Sequence, residues 1–146
     1  MPANYAFPVR FRDLMQGRTA PACTPAESVR QHIFLILITR FGECSFDPAY
    51  GCELWEYDFD HPADLNAQKH HLEQSIKNSI EQHEPRLSNV NIAVDIDTQI
   101  FTCRFNPKEP RIKKKINITV KGTLEETNQE FRTPAPYVIY FSPVSN

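Results

Sequence analysis

Glycine is scarce in this sequence, with 4 residues in 146, and no stretch forms a glycine-rich phosphate-binding loop. No serine or cysteine stands in the strand-turn-helix setting of a nucleophile elbow. These absences argue against the common nucleotide-binding motifs and against a hydrolase of the nucleophile-elbow type. Proline is abundant by contrast, with 12 residues. Few glycines and many prolines indicate a compact domain with stiff connections rather than a flexible array.

The sequence also lacks an excess of one charge, a cysteine framework and a long apolar run. Its net charge of −2 and pI of about 6.2 argue against a general nucleic-acid binder. Its 4 cysteines are too few and too scattered for a disulfide framework. The longest apolar run, Ile33 to Ile38, is too short to cross a bilayer, and no secretory-signal pattern is visible. We therefore expect a cytoplasmic protein with reduced thiols, no membrane insertion and no nucleic-acid partner.

The first of two predicted helices begins at a strong capping signal. Residues 24–27, Thr-Pro-Ala-Glu, combine a capping hydroxyl, proline at the first helical position and glutamate at the capping-box position. The pattern continues to Phe41, where Gly42 provides a stop. A buried strand over Ile33 to Ile38 is the competing interpretation, but the caps and the length favour a helix. This helix is apolar on nearly every side, so one side needs the sheet and another needs the second helix or another protein.

The segments around this helix are predicted to be an arm, a turn and a second helix. Alternating residues from Tyr5 to Phe11 predict a strand, which Pro8 confines to a sheet edge or an extended arm. Residues 54–59 are expected to form one helical turn that directs Leu54, Trp55 and Phe59 inward. The second main helix is predicted from about residue 62 to residue 83, with one narrow apolar stripe and polar remaining faces.

The second half of the chain reads as strands. We predict strands at Val90 to Ile96, at residues 101–105, and at Ile112 to Val120 after a turn over residues 107–110. Tyr137 to Phe141 is a fourth strand or an edge segment that follows a polar loop from Glu125 to Pro136. The predicted fold is α+β, with two main helices packed on one face of a small, mostly antiparallel sheet. We expect residues 1–146 to form a single domain, with residues 1–23 as an N-terminal arm and 125–146 as a C-terminal extension.

The junction between the second helix and the first strand is the most unusual stretch, Glu84-Pro85-Arg86-Leu87. Proline ends the helix, because it disfavours the α conformation of the preceding residue and cannot donate to the preceding turn. Glu84 then lies at the negative end of the helix dipole, which costs ~0.3–1 kcal/mol. Arg86 or a distant cation is expected to offset this cost. The alternative interpretation is a solvated turn with a charged surface pair.

Candidate catalytic and metal-binding residues lack a convincing arrangement. Paired carboxylates can cleave a glycosidic bond, but the acidic stretch offers no specific pair, so we expect a solvated loop and no catalytic residue. We also expect no metal site and no cofactor, because His70 and His71 diverge on their helix and Cys44 and Cys52 do not have zinc-knuckle spacing. Cys103 is expected in the core. The acidic residues considered are Glu43, Glu53, Glu56, Asp58 and Asp60, and the remaining histidines of this region are His61 and His83.

A cluster of basic residues precedes and enters the third predicted strand. A nucleic-acid site and a solvated turn that blunts a strand edge are both compatible with it, and the turn is favoured. The residues are Lys108, Arg111, Lys113, Lys114 and Lys115.

The order of several motifs resembles the baseplate-wedge family, which includes the small "lysozyme-like" phage tail protein and TssE of type VI secretion. The resemblance covers about residues 5 to 124, and the Glu-Pro-Arg-Leu element is its most specific part. The loop over 125–136, the Tyr-Val-Ile-Tyr-Phe tail, and Cys44 with Cys52 depart from the family pattern. The matching motifs are Ser28-Val29-Arg30-Gln31, Thr39-Arg40-Phe41-Gly42-Glu43, Asp47-Pro48-Ala49-Tyr50-Gly51 and Glu84-Pro85-Arg86-Leu87.

This resemblance implies a structural subunit of a contractile injection machine rather than an enzyme. It implies wedge partners of the TssF, TssG and TssK type and sheath partners of the TssB and TssC type, with sheath assembly started by strand addition. A phage tail baseplate protein and an anti-adaptor-type regulatory protein of the same fold are alternatives, and a muramidase is a weaker one. The expected protein-interaction residues are Glu84, Pro85, Arg86, Leu87, Arg40 and Glu43.

Overall fold

The computed structural model describes residues 4–56, 65–102, 104, 105, 108 and 111–141. The described elements are three α-helices, one 3-10 turn and four strands. In chain order the helices are α1 (Phe11–Met15), α2 (Pro25–Ile38) and α3 (Leu65–His83), with the 3-10 turn Glu53–Glu56 before α3. The strands that follow are β1 (Leu87–Phe101), β2 (Arg111–Leu124), β3 (Glu130–Arg132) and β4 (Tyr137–Phe141).

Helix α2 begins as predicted but ends earlier. The Thr24 hydroxyl accepts from the Glu27 N–H at 3.2 Å, and the Glu27 carboxylate accepts from the Thr24 N–H at 3.0 Å, which completes the capping box. The predicted end at Phe41 is wrong, because the helix stops at Ile38. Thr39 is extended, and its carbonyl accepts from the Cys52 N–H at 3.1 Å. Pairing with this later segment therefore draws the chain out of the helix, and the buried-strand alternative is also wrong.

The predicted strand from Tyr5 to Phe11 is not present. Tyr5 forms a single bridge with Ala22, and Phe11 begins helix α1. The Ala6 N–H donates to the Pro21 carbonyl at 2.9 Å, so residues 4–6 run beside the segment that leads into α2. The alternating side chains find no sheet to cover them, and the Phe11 side chain is exposed.

The turn before α3 was predicted in outline. Leu54 is buried, and the Trp55 indole N–H donates to the Leu37 carbonyl at 3.0 Å. Phe59 and the predicted start of the second helix, residues 62–64, lie outside the described residues. The end of α3 at His83 is confirmed.

The sheet is antiparallel throughout, and β2 is its central strand. β1 pairs with one side of β2, whereas β3 and β4 pair with the other side. The predicted separate strand at 101–105 is wrong, because Phe101 pairs with Arg111 as the last residue of β1 and Phe105 is exposed. Cys103 lies outside the described residues. The other strand predictions are confirmed as cores of β1 and β2 and as β4.

Two segments of the predicted turns and loops carry strand structure instead. Lys113, Lys114 and Lys115 lie within β2 and pair with β1, so this part of the basic cluster is not a solvated turn. The loop predicted from Glu125 to Pro136 contains β3, which sequence alternation missed because only Phe131 of its three residues is buried.

The core lies between one face of the sheet and the two long helices, which confirms the α+β fold. Alternate residues of β1 and β2 point into it, while the intervening residues are polar or partly exposed. None of the described helices combines the length and apolar character needed to cross a membrane. The buried core residues include Leu72, Ile76 and Ile80 of α3, Val29, Ile33 and Leu37 of α2, and Val94, Ile116, Ile118, Val120 and Ile139 of the sheet.

Candidate functional site

At the junction between α3 and β1, the carboxylate of Glu84 is buried inside the protein. The Glu84 N–H still donates to the Ile80 carbonyl at 2.8 Å, so the last helical hydrogen bond is kept. Pro85 cannot continue that pattern. The Leu87 N–H then donates to the Glu84 carbonyl at 3.3 Å, and β1 begins at Leu87. The Glu84 side chain is only 1% exposed, although glutamate is almost never fully buried without a partner.

Arg86 and His32 supply the partners that this buried carboxylate needs. Arg86 donates from Nε to Oε1 and from Nη2 to Oε2 of Glu84, both at 2.8 Å, which is a bidentate pair. The Arg86 backbone N–H donates to Oε1 at 3.2 Å. His32 Nδ1 of α2 lies 2.7 Å from Oε2. Arg86 was predicted as the partner and His32 was not, and the solvated-turn alternative is wrong.

The contacts of Glu84 keep it ionised. Burial alone would raise its pKa, but the hydrogen bonds from Arg86 and His32 and their charges outweigh burial and lower the pKa to about 2. The hydrogen bond to Glu84 raises the pKa of Arg86 in turn. A buried ion pair of this kind is costly to break, because removal of one partner leaves the other charge unpaired.

Arg86 also connects this junction to α2 and to the N-terminal arm. Its Nη1 donates to the Ser28 hydroxyl at 2.9 Å and to the Asn4 side-chain carbonyl at 3.3 Å. The Arg86 side chain is 35% exposed, so part of the guanidinium remains accessible. Arg86 thus bonds to Ser28, 58 residues away in sequence, and to Asn4, 82 residues away, as well as to the neighbouring Glu84.

Aromatic and histidine side chains form a second layer of contacts beside this junction. The Tyr50 ring stacks on His32 with centroids 5.9 Å apart and meets His83 edge-on at 5.1 Å. His83 Nδ1 is 3.0 Å from the Ser79 carbonyl, and its Nε2 is 3.3 Å from Asp47 Oδ2. This layer connects the loop after α2 to the end of α3.

The predicted interaction residues divide into two groups. Glu84 and Leu87 are buried, with Leu87 only 4% exposed, whereas Pro85 is exposed and Arg86 partly so. Arg40 and Glu43 belong to the turn after α2, where the Glu43 carboxylate accepts from the Arg40 N–H at 2.9 Å. The Arg40 guanidinium lies over the Trp55 ring, 5.5 Å from its centroid. In the described part of the chain, no contact joins this turn's two charged residues to the Glu84 carboxylate.

The structure adds residues that sequence reasoning did not assign to the site. His32, Ser28 and Asn4 contact the Glu84–Arg86 pair, and Tyr50 packs against His32 and His83. All four come from distant positions, so no local spacing could reveal them. His32 offered one signal, since it stands as a polar residue immediately before the apolar run of α2. Burial, followed by the charges of Cys44 and Glu84, raises the pKa of Tyr50.

Other candidate chemistry is not assembled in the described residues. The described histidines, cysteines and acidic residues include no group of three or more that could hold a metal ion. Cys52 is buried, its Sγ lies 3.3 Å from the Leu37 carbonyl, and burial raises its pKa to about 11, so it is a poor nucleophile at neutral pH. Glu53 and Glu56 lie in the 3-10 turn, while Asp58 and Asp60 are outside the described residues.

Comparison with known proteins identifies a family for most of this chain. A sequence profile described as baseplate wedge protein gp25 matches residues 24–129, which contain α2, α3, the Glu84 junction and β1 and β2. The baseplate wedge protein gp25 of Enterobacteria phage T4 is 30% identical over 83 residues, covering 54% of this chain. The chain spans 61% of the length of that phage relative.

A solved structure from Geobacter sulfurreducens, described as a candidate tail lysozyme, shares the fold. It superposes with a TM-score of 0.59 at 17% identity, covering 87% of this chain and 100% of the other. Because the matched profile spans most of the chain and includes the complete Glu84–Arg86 junction, this chain belongs to the gp25 family of baseplate wedge proteins.

Proposed function

We propose that this protein is a structural baseplate-wedge subunit of a contractile injection machine, most specifically of a type VI secretion system. In this proposal it occupies the TssE position, joins wedge subunits of the TssF, TssG and TssK type to a sheath of the TssB and TssC type, and starts sheath assembly in the cytoplasm. The observation that carries the proposal is the buried Glu84 carboxylate held by Arg86 and His32 within a member of the gp25 family.

The geometry suggests how the junction would meet a partner. Glu84 and Leu87 are buried, so their contribution to an interface is to hold the turn in one conformation. Pro85 and the outer part of Arg86 are the accessible groups. A proline-fixed backbone and a guanidinium already held by a bidentate pair lose little conformational freedom on binding. Arg40 and Glu43 would form a second contact region at the adjoining turn.

A phage-like tail baseplate is the second candidate, and the relative from phage T4 favours it. In both candidates the subunit joins wedge proteins and a contractile sheath. The identity of the neighbouring genes distinguishes them, since a secretion system and a phage tail are encoded beside different components. An enzymatic role is not part of this proposal.

The test removes the charged pair without leaving one charge buried. A Glu84→Gln and Arg86→Met double variant keeps side chains of similar volume and neutralises both partners. We therefore expect the variant to remain folded, which circular dichroism would measure. We expect the amount of co-expressed wedge subunit that co-purifies with this variant to be at least 10-fold lower than with the wild type. Arg132→Ala, at an exposed site on β3, is the matched control and should co-purify normally.

Two results separate an interface role from a purely structural one. Normal recruitment of the folded double variant would show that the Glu84–Arg86 pair does not serve assembly. Failure of the wild-type protein to recruit any wedge subunit would contradict the proposed function itself.

A further inference from the structure

The ribbon formed by β1 and β2 extends past the rest of the sheet at one end. β4 pairs with β2 only as far as Lys114, which lies opposite Phe141. β1 and β2 stay paired beyond this point, out to Phe101 opposite Arg111. Among the described residues, the last pairs of the ribbon therefore have no third strand beside them. A two-stranded ribbon is only marginally stable by itself in water, so a surface that covers this end would stabilise it.

One side of this ribbon stays apolar beyond the buried core. Ile116 is fully buried, and the residues of β2 that are two and four positions away share its side of the sheet. Ile112 therefore continues the core-facing side, and it pairs directly with Ile100 of β1. Ile100 and Ile112 are 69% and 49% exposed. Two large aliphatic side chains that are cross-strand neighbours thus extend the core-facing side into solvent.

Positive charge surrounds this aliphatic pair. Lys114 lies on the same side of β2, and its Nζ donates to the neutral hydroxyl of Thr98 at 3.0 Å. Lys113 and Lys115 are its neighbours in the strand. Residues 97–115 carry six basic side chains and two acidic ones, although the net charge of the whole chain is −2. Charge complementarity therefore favours a partner that brings carboxylates or phosphates to this end of the ribbon.

The aliphatic character of the exposed pair favours a protein over a nucleic acid. Nucleic acids bind proteins through their phosphates and by stacking bases on aromatic rings, and neither contact uses an isoleucine side chain. The ring of Phe101, on the opposite side of the ribbon, already contacts the Lys113 ammonium at 5.2 Å and the Tyr140 ring at 5.7 Å. A protein segment with an apolar side chain between carboxylates matches both the isoleucines and the lysines.

We propose that the ribbon end, defined by Thr98, Ile100, Ile112 and Lys114, is a second protein-interaction surface that binds an acidic, amphipathic segment of a wedge subunit. An apolar side chain of that segment covers the Ile100–Ile112 pair, and a carboxylate binds Lys114. The choice of a wedge subunit as the partner rests on the proposed function, whereas the chemistry of the segment rests on the ribbon end itself.

The ribbon end is far from the Glu84 junction. The junction precedes Leu87 at the start of β1, and the ribbon end lies at the other end of this 15-residue strand. At about 3.3 Å per residue the two are roughly 45 Å apart. One partner at the junction and another at the ribbon end can therefore be bound at the same time, as a subunit that joins several components requires.

The test changes the apolar pair and the charge separately. Ile100→Thr combined with Ile112→Thr removes apolar surface but keeps β-branched side chains, which preserves the strands. Val138→Thr, at a partly exposed site on β4, is its control. Lys114→Glu reverses one charge, and Lys121→Glu, at an exposed site farther along β2, is the matched control. Each wedge subunit of the same machine is co-expressed with each variant, and the amount that co-purifies is measured.

The expected result is a loss confined to the ribbon end. The amount of one wedge subunit that co-purifies should fall at least 10-fold with the double isoleucine variant, because its apolar contact is lost. The same subunit should fall about 5-fold or more with Lys114→Glu, because like charges then face each other. Val138→Thr and Lys121→Glu should co-purify as much as the wild type.

Three other results would contradict the inference, and they differ in what else they reject. Normal co-purification of both ribbon-end variants would overturn the second surface and leave the proposed function intact. Failure of the wild type to recruit any wedge subunit would reject the proposed function, and the inference with it. Binding of a single-stranded oligonucleotide that is lost in Lys114→Glu, while recruitment of wedge subunits is unchanged, would assign this surface to nucleic acid.

Photo-crosslinking keeps the inference testable if the double isoleucine variant does not fold. A photoreactive amino acid in place of Ile100 should link to an acidic segment of the wedge subunit, which mass spectrometry of the linked peptides identifies. The same amino acid in place of Lys121 should not form this link. A link from position 100 to a segment without excess negative charge, or no link from that position, would contradict the inference.

Discussion

Glu84 shows how a side chain that is unfavourable by local rules becomes stable through distant contacts. A carboxylate after a helix C-terminus meets the negative end of the dipole, and its burial adds a desolvation cost. The bidentate Arg86 and the His32 ring offset both, since hydrogen bonds to charged groups are worth about 1.5–3 kcal/mol each. His32 is 52 residues away in sequence, so only the fold brings it to the site. The Glu84–Arg86 pair was predictable from its spacing, whereas the burial of Glu84 was not.

The lowered pKa of Glu84 predicts a specific acid sensitivity. Its folded-state pKa of about 2 lies below the ordinary glutamate value of 4.5, so the unfolded state binds more protons between these pH values. The stabilisation is complete above about pH 5 and is lost as pH falls from about 4.5 towards 2, by an amount on the order of 3 kcal/mol.

Urea unfolding of the wild type and of Glu84→Gln at several pH values measures this effect. The difference between the two proteins should shrink as pH falls through that window. Glu27→Gln, at the exposed cap of α2, serves as the comparison variant. A stability difference between the wild type and Glu84→Gln that does not change between pH 6 and pH 3 would contradict an ionised, buried Glu84.

At the scale of elements, boundaries set by local signals were predicted, whereas boundaries set by pairing with a distant segment were missed. The capping box located the start of α2, and proline located the end of α3, because both signals act through neighbouring atoms. The end of α2 depends instead on pairing between Thr39 and Cys52, which no local pattern encodes. The same reason explains β3, whose three residues are a strand only because β2 lies beside them.

A substitution at Gly51 tests whether the end of α2 depends on contacts with the loop that follows it. Its φ is +125°, and a Cβ there would lie 2.6 Å from the Thr39 carbonyl oxygen. Gly51→Ala should therefore force the loop away from α2 and cost about 3 kcal/mol or more. Gly17 is the matched control, with a φ of +74° and nothing within 4 Å of the added Cβ, so Gly17→Ala should cost only about 1–2 kcal/mol.

Equilibrium unfolding followed by the fluorescence of Trp55, the single tryptophan, reports this difference because its indole N–H bonds to Leu37 near the same loop. Equal losses in the free energy of unfolding for the two glycine variants would show that the loop can move without loss of stability.

At the scale of the whole molecule, the sequence predicted the layers but not the order of strands. Alternation in β1 and β2 and the amphipathic pattern of α3 were enough to predict helices on one face of a sheet. Strand order and the central position of β2 arise from pairings between distant segments. They decide which surface is available to a partner, and alternating hydrophobicity carries no information about them.

At the same scale, the arrangement of the carboxylates that the structure describes predicts that the protein does not cleave peptidoglycan. A glycosidase needs two carboxyl groups about 5–10 Å apart, with the pKa of the proton donor raised. The buried carboxylate, Glu84, has its pKa lowered, and its oxygens are occupied by Arg86 and His32. Glu43 accepts a backbone hydrogen bond within its own turn. Purified protein should therefore clear a peptidoglycan suspension no faster than buffer, with a known muramidase as the positive control. Clearing that disappears in Glu53→Gln or Glu56→Gln would show instead that the acidic stretch is an active site, and the structural role alone would then not account for this protein.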